Sequence, residues 1–250
     1  MRAYWTLLCR ELGGYFFSMS GYVIIGAAMF LLGFSFVVLL VNLQQQPTSL
    51  PITELFYMTP FFWLILLLSA PLITMRLFAL EKFSGTFEAL MTTPVSDLQV
   101  VLAKFSAALF FYLVMWLPLL GCLFVVRHYA SDVSSLAPAT IGSTFLGILL
   151  LGGLFLSLGS CASALTRSQV TAAMISLVFG VSLFLIGVLA YRLPLQNTWP
   201  AQLLGALSFF EQMHDFARGV VDTRPVLLYL SMTALFLFLT LRVVESRRWK

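Results

Sequence analysis

Long apolar runs with brief polar punctuation make up most of this chain. Runs over residues 21–41, 100–126, 139–165 and 170–190 approach or exceed the roughly 20 residues that a helix needs to cross a bilayer, and the only charge in them is Lys104, at the mouth of the second. A shorter run over 58–75 carries Pro60 near its start and Pro71 near its end, and a last one over 226–241 borrows flanking residues to reach membrane length. The runs are apolar on every face. Barrel strands alternate in polarity, so the pattern excludes a β-barrel and predicts an all-α integral membrane protein of six transmembrane helices, a single transmembrane domain over residues 1–250.

Composition agrees. The chain is 60% hydrophobic and only 10% charged, against roughly a quarter charged in an average soluble domain. A soluble fold of 250 residues has too little interior for so much apolar surface, whereas lipid accepts it on all sides. The net charge of +4 matters through its placement and does not point to nucleic acid. With the N-terminus in the cytoplasm, that side holds Arg2, Arg10, Arg76, Lys82, Lys104, Arg167, Arg242, Arg247, Arg248 and Lys250. The other side holds Arg127, Arg192, Arg218 and Arg224. Ten against four predicts a multi-pass membrane protein with both termini cytoplasmic. No cleavable signal peptide is evident, so the first span is expected to stay as an anchor.

Before the first span, residues 4–18 mix Trp5, Tyr15, Phe16 and Phe17 with Arg10 and Glu11, which suits an elbow helix lying in the interface. Cys9, Cys122 and Cys161 are far apart and read as small core residues, neither a disulfide frame nor a metal site. No soluble domain, low-complexity linker or internal repeat stands out.

The longest cytoplasmic loop, residues 76–104, carries more local structure than a connector needs. Ser84 or Gly85 is placed to cap a short helix with Glu88 in its first turn, and Thr92, Thr93 and Pro94 would end it. Phe87, Leu90 and Met91 fall at i, i+3 and i+4, an apolar face with no span of its own to cover it. That face either tucks onto the bundle and headgroups or docks a soluble partner. Ser96 and Gln99 then match a capping box, which starts the third span in the cytoplasm.

This loop resembles that of the permease subunits of ABC-2 type ATP-binding-cassette transporters. The resemblance rests on residues 81–90, EKFSGTFEAL, on Thr93-Pro94-Val95-Ser96, and on Lys104. It implies that the segment around Glu81, Lys82, Ser84, Gly85, Thr86, Phe87, Glu88, Leu90, Met91, Thr93 and Pro94 is a coupling helix seated in a cleft of a separate ATPase. Residues 216–224, FARGVVDTR, with Tyr229-Leu230-Ser231 and the ending ESRRWK, are similar to the gliding-motility branch; Pro225 departs from it, and permeases of nitrous-oxide-reductase maturation share the layout. The resemblance further implies a twelve-helix unit with a second permease copy or a related permease, ATP and Mg bound by the partner ATPase, and, in the gliding branch, an accessory membrane subunit with a large external domain.

Ahead of the last span, Ser208 and Glu211 form a second capping-box match. The helix it opens has Phe209, Met213, Phe216 and Val220 on one face and Arg218 between Asp215 and Asp222, at spacings that suit local ion pairs. This predicts an amphipathic helix at the outer membrane face, with a gate for an exported substrate as the second reading. His128 and His214 have no partners at metal spacing and read as solvated or interfacial.

No chemistry is expected of the chain itself. It has no phosphate-binding GxxxxGK loop, so it does not hydrolyse ATP by that mechanism. A membrane serine protease using Ser157, Ser160 or Ser163 would need a histidine at membrane depth. A secondary carrier usually retains intramembrane charge, and the central portions of these spans have none. Gly152, Gly153, Ser157, Gly159, Ser160 and Ala164 read first as close-packing positions. A Phe-rich pathway favours an amphipathic, lipid-like or polymeric cargo. The remaining alternatives are a secondary carrier and a non-transporting scaffold that recruits a soluble partner.

Overall fold

The computed structural model describes residues 2–45, 52–86, 95–129, 138–192 and 207–248, and these residues form helices and turns with no strand among them. The helices are α1 (Arg2–Phe16), α2 (Met19–Gln45), α3 (Ile52–Met58), α4 (Pro60–Thr74), α5 (Ala79–Ser84), α6 (Asp97–Tyr129), α7 (Pro138–Leu165), α8 (Gln169–Arg192), α9 (Phe209–Arg218) and α10 (Thr223–Arg248). Six stretches are long and apolar enough to cross a membrane: α2, α4 continued through α5, α6, α7, α8 and α10.

Two spans differ from the sequence reading at their ends. Met58 closes α3, a separate short helix, because Pro60 lacks an amide hydrogen and can only begin the next one. Beyond Thr74 the second span resumes as α5, so it reaches Ser84. The sixth span runs over Thr223–Arg248 in place of 226–241: Asp222 Oδ1 accepts from the Arg224 amide at 3.2 Å, and Pro225 falls in the first turn, where a missing amide costs nothing. The third span starts where expected, with the Gln99 amide donating to Ser96 Oγ at 3.4 Å.

The fourth span, α7, is the centre of the bundle. Its apolar window is 78% buried, against 11% for α10 and 22% for α8, whose outward faces are left to lipid or to another chain. Small residues allow this position. A Cβ on Gly152 would lie 2.2 Å from the Tyr112 ring, and one on Gly159 would lie 2.1 Å from Thr74 Oγ1, so α6 and α4 approach α7 at glycine backbone. Ser157 and Ser160 spend their hydroxyls on the carbonyls of Leu154 and Leu156 in their own helix, in keeping with a packing role.

α7 also fixes the two ends of the bundle. Its second turn meets α9, where Ser143 Oγ donates to the Phe216 carbonyl at 2.7 Å. Its last turn meets α5 through Ser163 and Ala164, and Thr240 of α10 reaches Cys161 nearby. The N-terminal helix α1, the helix α5 and the C-terminal part of α10 therefore gather at one end, and α3 and α9 at the other.

Candidate functional site

At the first end, α5 is a helix of only six residues, too short to be stable by itself. Its leading amides, Phe78 and Ala79, both donate to Ser163 Oγ at 3.1 Å, so a hydroxyl from α7 satisfies donors that a helix start leaves open. Lys82 Nζ bonds the Ala164 carbonyl. Glu81 faces inward as well: Oε1 accepts from Lys104 Nζ at 2.8 Å and from Arg10 Nη2 at 3.1 Å. The same two nitrogens reach Glu11 Oε1 at 3.0 and 3.1 Å. Lys104 is almost wholly buried at 3% side-chain exposure, and its ammonium also lies 5.5 Å from the centre of the Phe78 ring. Two cations and two carboxylates thus alternate around one locus that joins α1, α5 and α6.

The exposed side of α5 is different in kind. Phe83 is 79% exposed, and Ser84, Gly85 and Thr86 are exposed after it. Ser84 ends α5 and Gly85, at φ 74°, is its left-handed C-cap; helical backbone resumes at Thr86, directly after it. Ser84 Oγ and Thr86 Oγ1 share a hydrogen bond of 2.8 Å. Phe87, Glu88, Leu90, Met91, Thr93 and Pro94 lie outside the described residues.

α1 covers the segment expected to be an elbow, and it is tied to the bundle. Tyr15 is buried, donates to the Ile73 carbonyl at 2.9 Å and stacks on Phe111, while Trp5 stays exposed. Burial, with the nearby Glu11 charge, pushes the Tyr15 phenol far above its usual range, so it remains a neutral donor. Cys9 is exposed on this helix and not a core residue.

At the opposite end, α9 is amphipathic as expected, but Phe209, Met213 and Phe216 are buried against the bundle and do not rest on the membrane face. Phe209 stacks on Tyr229 of α10, and Trp63 of α4 stacks on Phe210. Val220 falls beyond the helix and is exposed. Ser208 Oγ donates to the Glu211 carboxylate at 3.1 Å, so the reciprocal capping box does not form. Gly219, at φ 91°, ends the helix, and hydroxyls of Ser143 and Thr53 take up the Phe216 and Ala217 carbonyls.

Arg218 does not form the local pairs that its spacing to Asp215 and Asp222 suggested. It grips Glu54 of α3 with Nε and Nη2, each at 2.9 Å. His214 joins them, with Nε2 3.0 Å from Glu54 Oε1 and its ring edge-on to Tyr57, so it is not simply solvated. Burial alone would raise the Glu54 pKa, but the Arg218 hydrogen bonds and charge, helped by His214, hold it below the ordinary carboxylate range.

Sequence reasoning missed Arg10, Glu11, Glu54 and Ser163. A usable signal existed for Glu54 and Lys104: each is a lone charge inside an apolar stretch, which needs a partner. His128 lies at the end of α6, and its side chain is outside the described residues. Among the described residues no group of three or more His, Cys, Asp or Glu is placed to hold a metal.

A family model described as "ABC-2 family transporter protein" matches residues 33–249. No curated protein matches the chain.

Proposed function

From the premise that the chain belongs to the ABC-2 transporter family, we propose that it is the membrane subunit of an exporter driven by an ATPase docked on residues 86–94. The family membership makes it a permease subunit of an ABC transporter, multi-pass in the membrane, with ATP hydrolysed in a separate chain. The finer reading adds the route. The observation that carries it is the two-sidedness of α5: Glu81 and Lys82 anchor it to the bundle, while Phe83 and the residues after it face outward, directly ahead of the coupling-like segment.

In this reading the end bearing α1 and α5 is cytoplasmic, in a bacterial inner membrane, as the ten-to-four excess of Lys and Arg supports. ATP and Mg belong to the partner ATPase. Two permease chains make a twelve-helix unit, and the exposed apolar faces of α2, α8 and α10 supply surface for it. The cargo is amphipathic, lipid-like or polymeric. At the outer end, Phe209, Met213, Phe216 and Arg218 close the bundle as a gate that must part for release, and Asp222 starts the span behind it. An accessory subunit with a large external domain belongs to the gliding-branch version of the reading.

A photo-crosslinking residue placed at Phe87 tests the docking. The reading expects an ABC ATPase crosslinked from position 87 and not from Val220 at the other end. Crosslinks from position 87 to lipid alone, or to a soluble protein without a phosphate-binding loop, would favour the scaffold alternative.

A further inference from the structure

The alternation of Arg10, Glu11, Glu81 and Lys104 is closed: Oε1 of each carboxylate serves both cations, and each cation serves both carboxylates. No member can leave without depriving two neighbours of opposite charge, and three of the four, Glu11, Glu81 and Lys104, are largely buried. Two of its members belong to α1 and one each to α5 and α6. α1 and α6 are further tied by Tyr4 Oη donating to Ser106 Oγ at 2.9 Å and by Phe111 lying against Tyr15 and Phe16. They form one body. The other polar attachments of α5 and its leading residue, through Ser163 and Ala164, lead instead to the last turn of α7, and α5 also packs against α8. A six-residue helix thus stands on two separate footings, immediately before the left-handed turn at Gly85 and the exposed Thr86.

We infer that the charge ring is the footing through which displacement of α5 reaches α1 and α6 together, so that Glu81 and Lys104 are positioning residues of energy coupling and α1 is a moving part of it. This inference rests on the reading that an ATPase docks on residues 86–94. Its physical basis is that close charge pairs in a low-dielectric setting hold a defined geometry and exchange partners in discrete steps, so a ring transmits a shift that loose apolar contact would absorb. Glu81 acts here from inside the bundle, not by touching the ATPase.

Cys9, exposed on α1 beside Arg10, is a ready reporter. The chain carrying Cys122→Ala and Cys161→Ala is spin-labelled at Cys9 and purified with its ABC ATPase, the latter identified by mass spectrometry. The label spectrum is recorded with and without a non-hydrolysed ATP analogue and Mg. With the ring intact, nucleotide changes the spectrum. Glu81→Gln should reduce that change at least fivefold while the recovered ATPase is undiminished. The paired variant Glu81→Gln with Lys104→Met removes one charge of each sign, keeps the Arg10–Glu11 pair, and should lose the response too. A full response in either variant overturns the inference, as does an unresponsive label in the parent complex while it hydrolyses ATP. Loss of the ATPase from both variants would also overturn it, reducing the ring to a structural brace. If no ABC ATPase accompanies the parent chain, the docking reading itself fails and takes the inference with it.

Discussion

Glu54 and Arg218, 164 positions apart in sequence, are joined by two parallel hydrogen bonds of 2.9 Å that clasp α3 to α9. Bidentate geometry of this kind fixes orientation as well as distance. Arg218→Met should therefore loosen α9 and lower the thermal midpoint of the purified protein, whereas Asp222→Asn, which removes only the cap of α10, should lower it less. Equal effects would contradict the assignment of Arg218 to Glu54.

The same carboxylate makes a pH prediction. The folded-state pKa of Glu54 is depressed below its ordinary 4.5, so its contribution is complete above that value and is lost as pH falls through the folded-state pKa. The midpoint difference between the wild-type chain and Glu54→Gln should be constant from pH 7 to about 5 and shrink on further acidification. A difference that grows in acid would show that the carboxyl is held neutral instead.

How much of this was readable in advance can be judged from these residues. Six spans, the start of α6 at Ser96 and the apolar face Phe209, Met213, Phe216 follow from local periodicity and capping, and the structure has them, although it packs that face against the bundle and not on the membrane face. The partner of Arg218 does not follow, because Asp215 and Asp222 offer good local spacing and nothing in a one-dimensional pattern ranks them below an acid 164 residues away. A Ser-Gly pair suits the end of one helix as well as the start of another, and only the structure shows that Gly85 closes α5 in a left-handed C-cap one residue before helical Thr86. The charge ring was invisible because its members come from three elements.

Close packing at α7 predicts an asymmetry between glycines. Gly152→Ala drives a Cβ to within 2.2 Å of the Tyr112 ring and should cost about 1–3 kcal/mol. Gly26→Ala in α2 meets open space and should be neutral or slightly stabilising. Thermal unfolding of the two variants in one detergent checks this, and a Gly152→Ala variant as stable as Gly26→Ala would refute the close approach of α6 to α7.

Ser163→Ala removes the acceptor of two buried amides, Phe78 and Ala79. Leaving buried donors unpaired costs about 1–3 kcal/mol, and the loss should appear locally, as faster proteolysis within residues 79–94 at unchanged cleavage elsewhere. Uniformly faster cleavage would mean that Ser163 supports the whole bundle and not α5.

The central claim is that residues 86–94 couple this permease to a separate ATPase. The most direct measurement is ATP hydrolysis by the copurified complex in lipid, comparing the wild-type chain with Phe87→Ala and Glu88→Ala. The account predicts an ATPase that accompanies the wild-type chain and loses binding or coupled hydrolysis, by tenfold or more, in both variants. Binding and hydrolysis indifferent to both substitutions would contradict it.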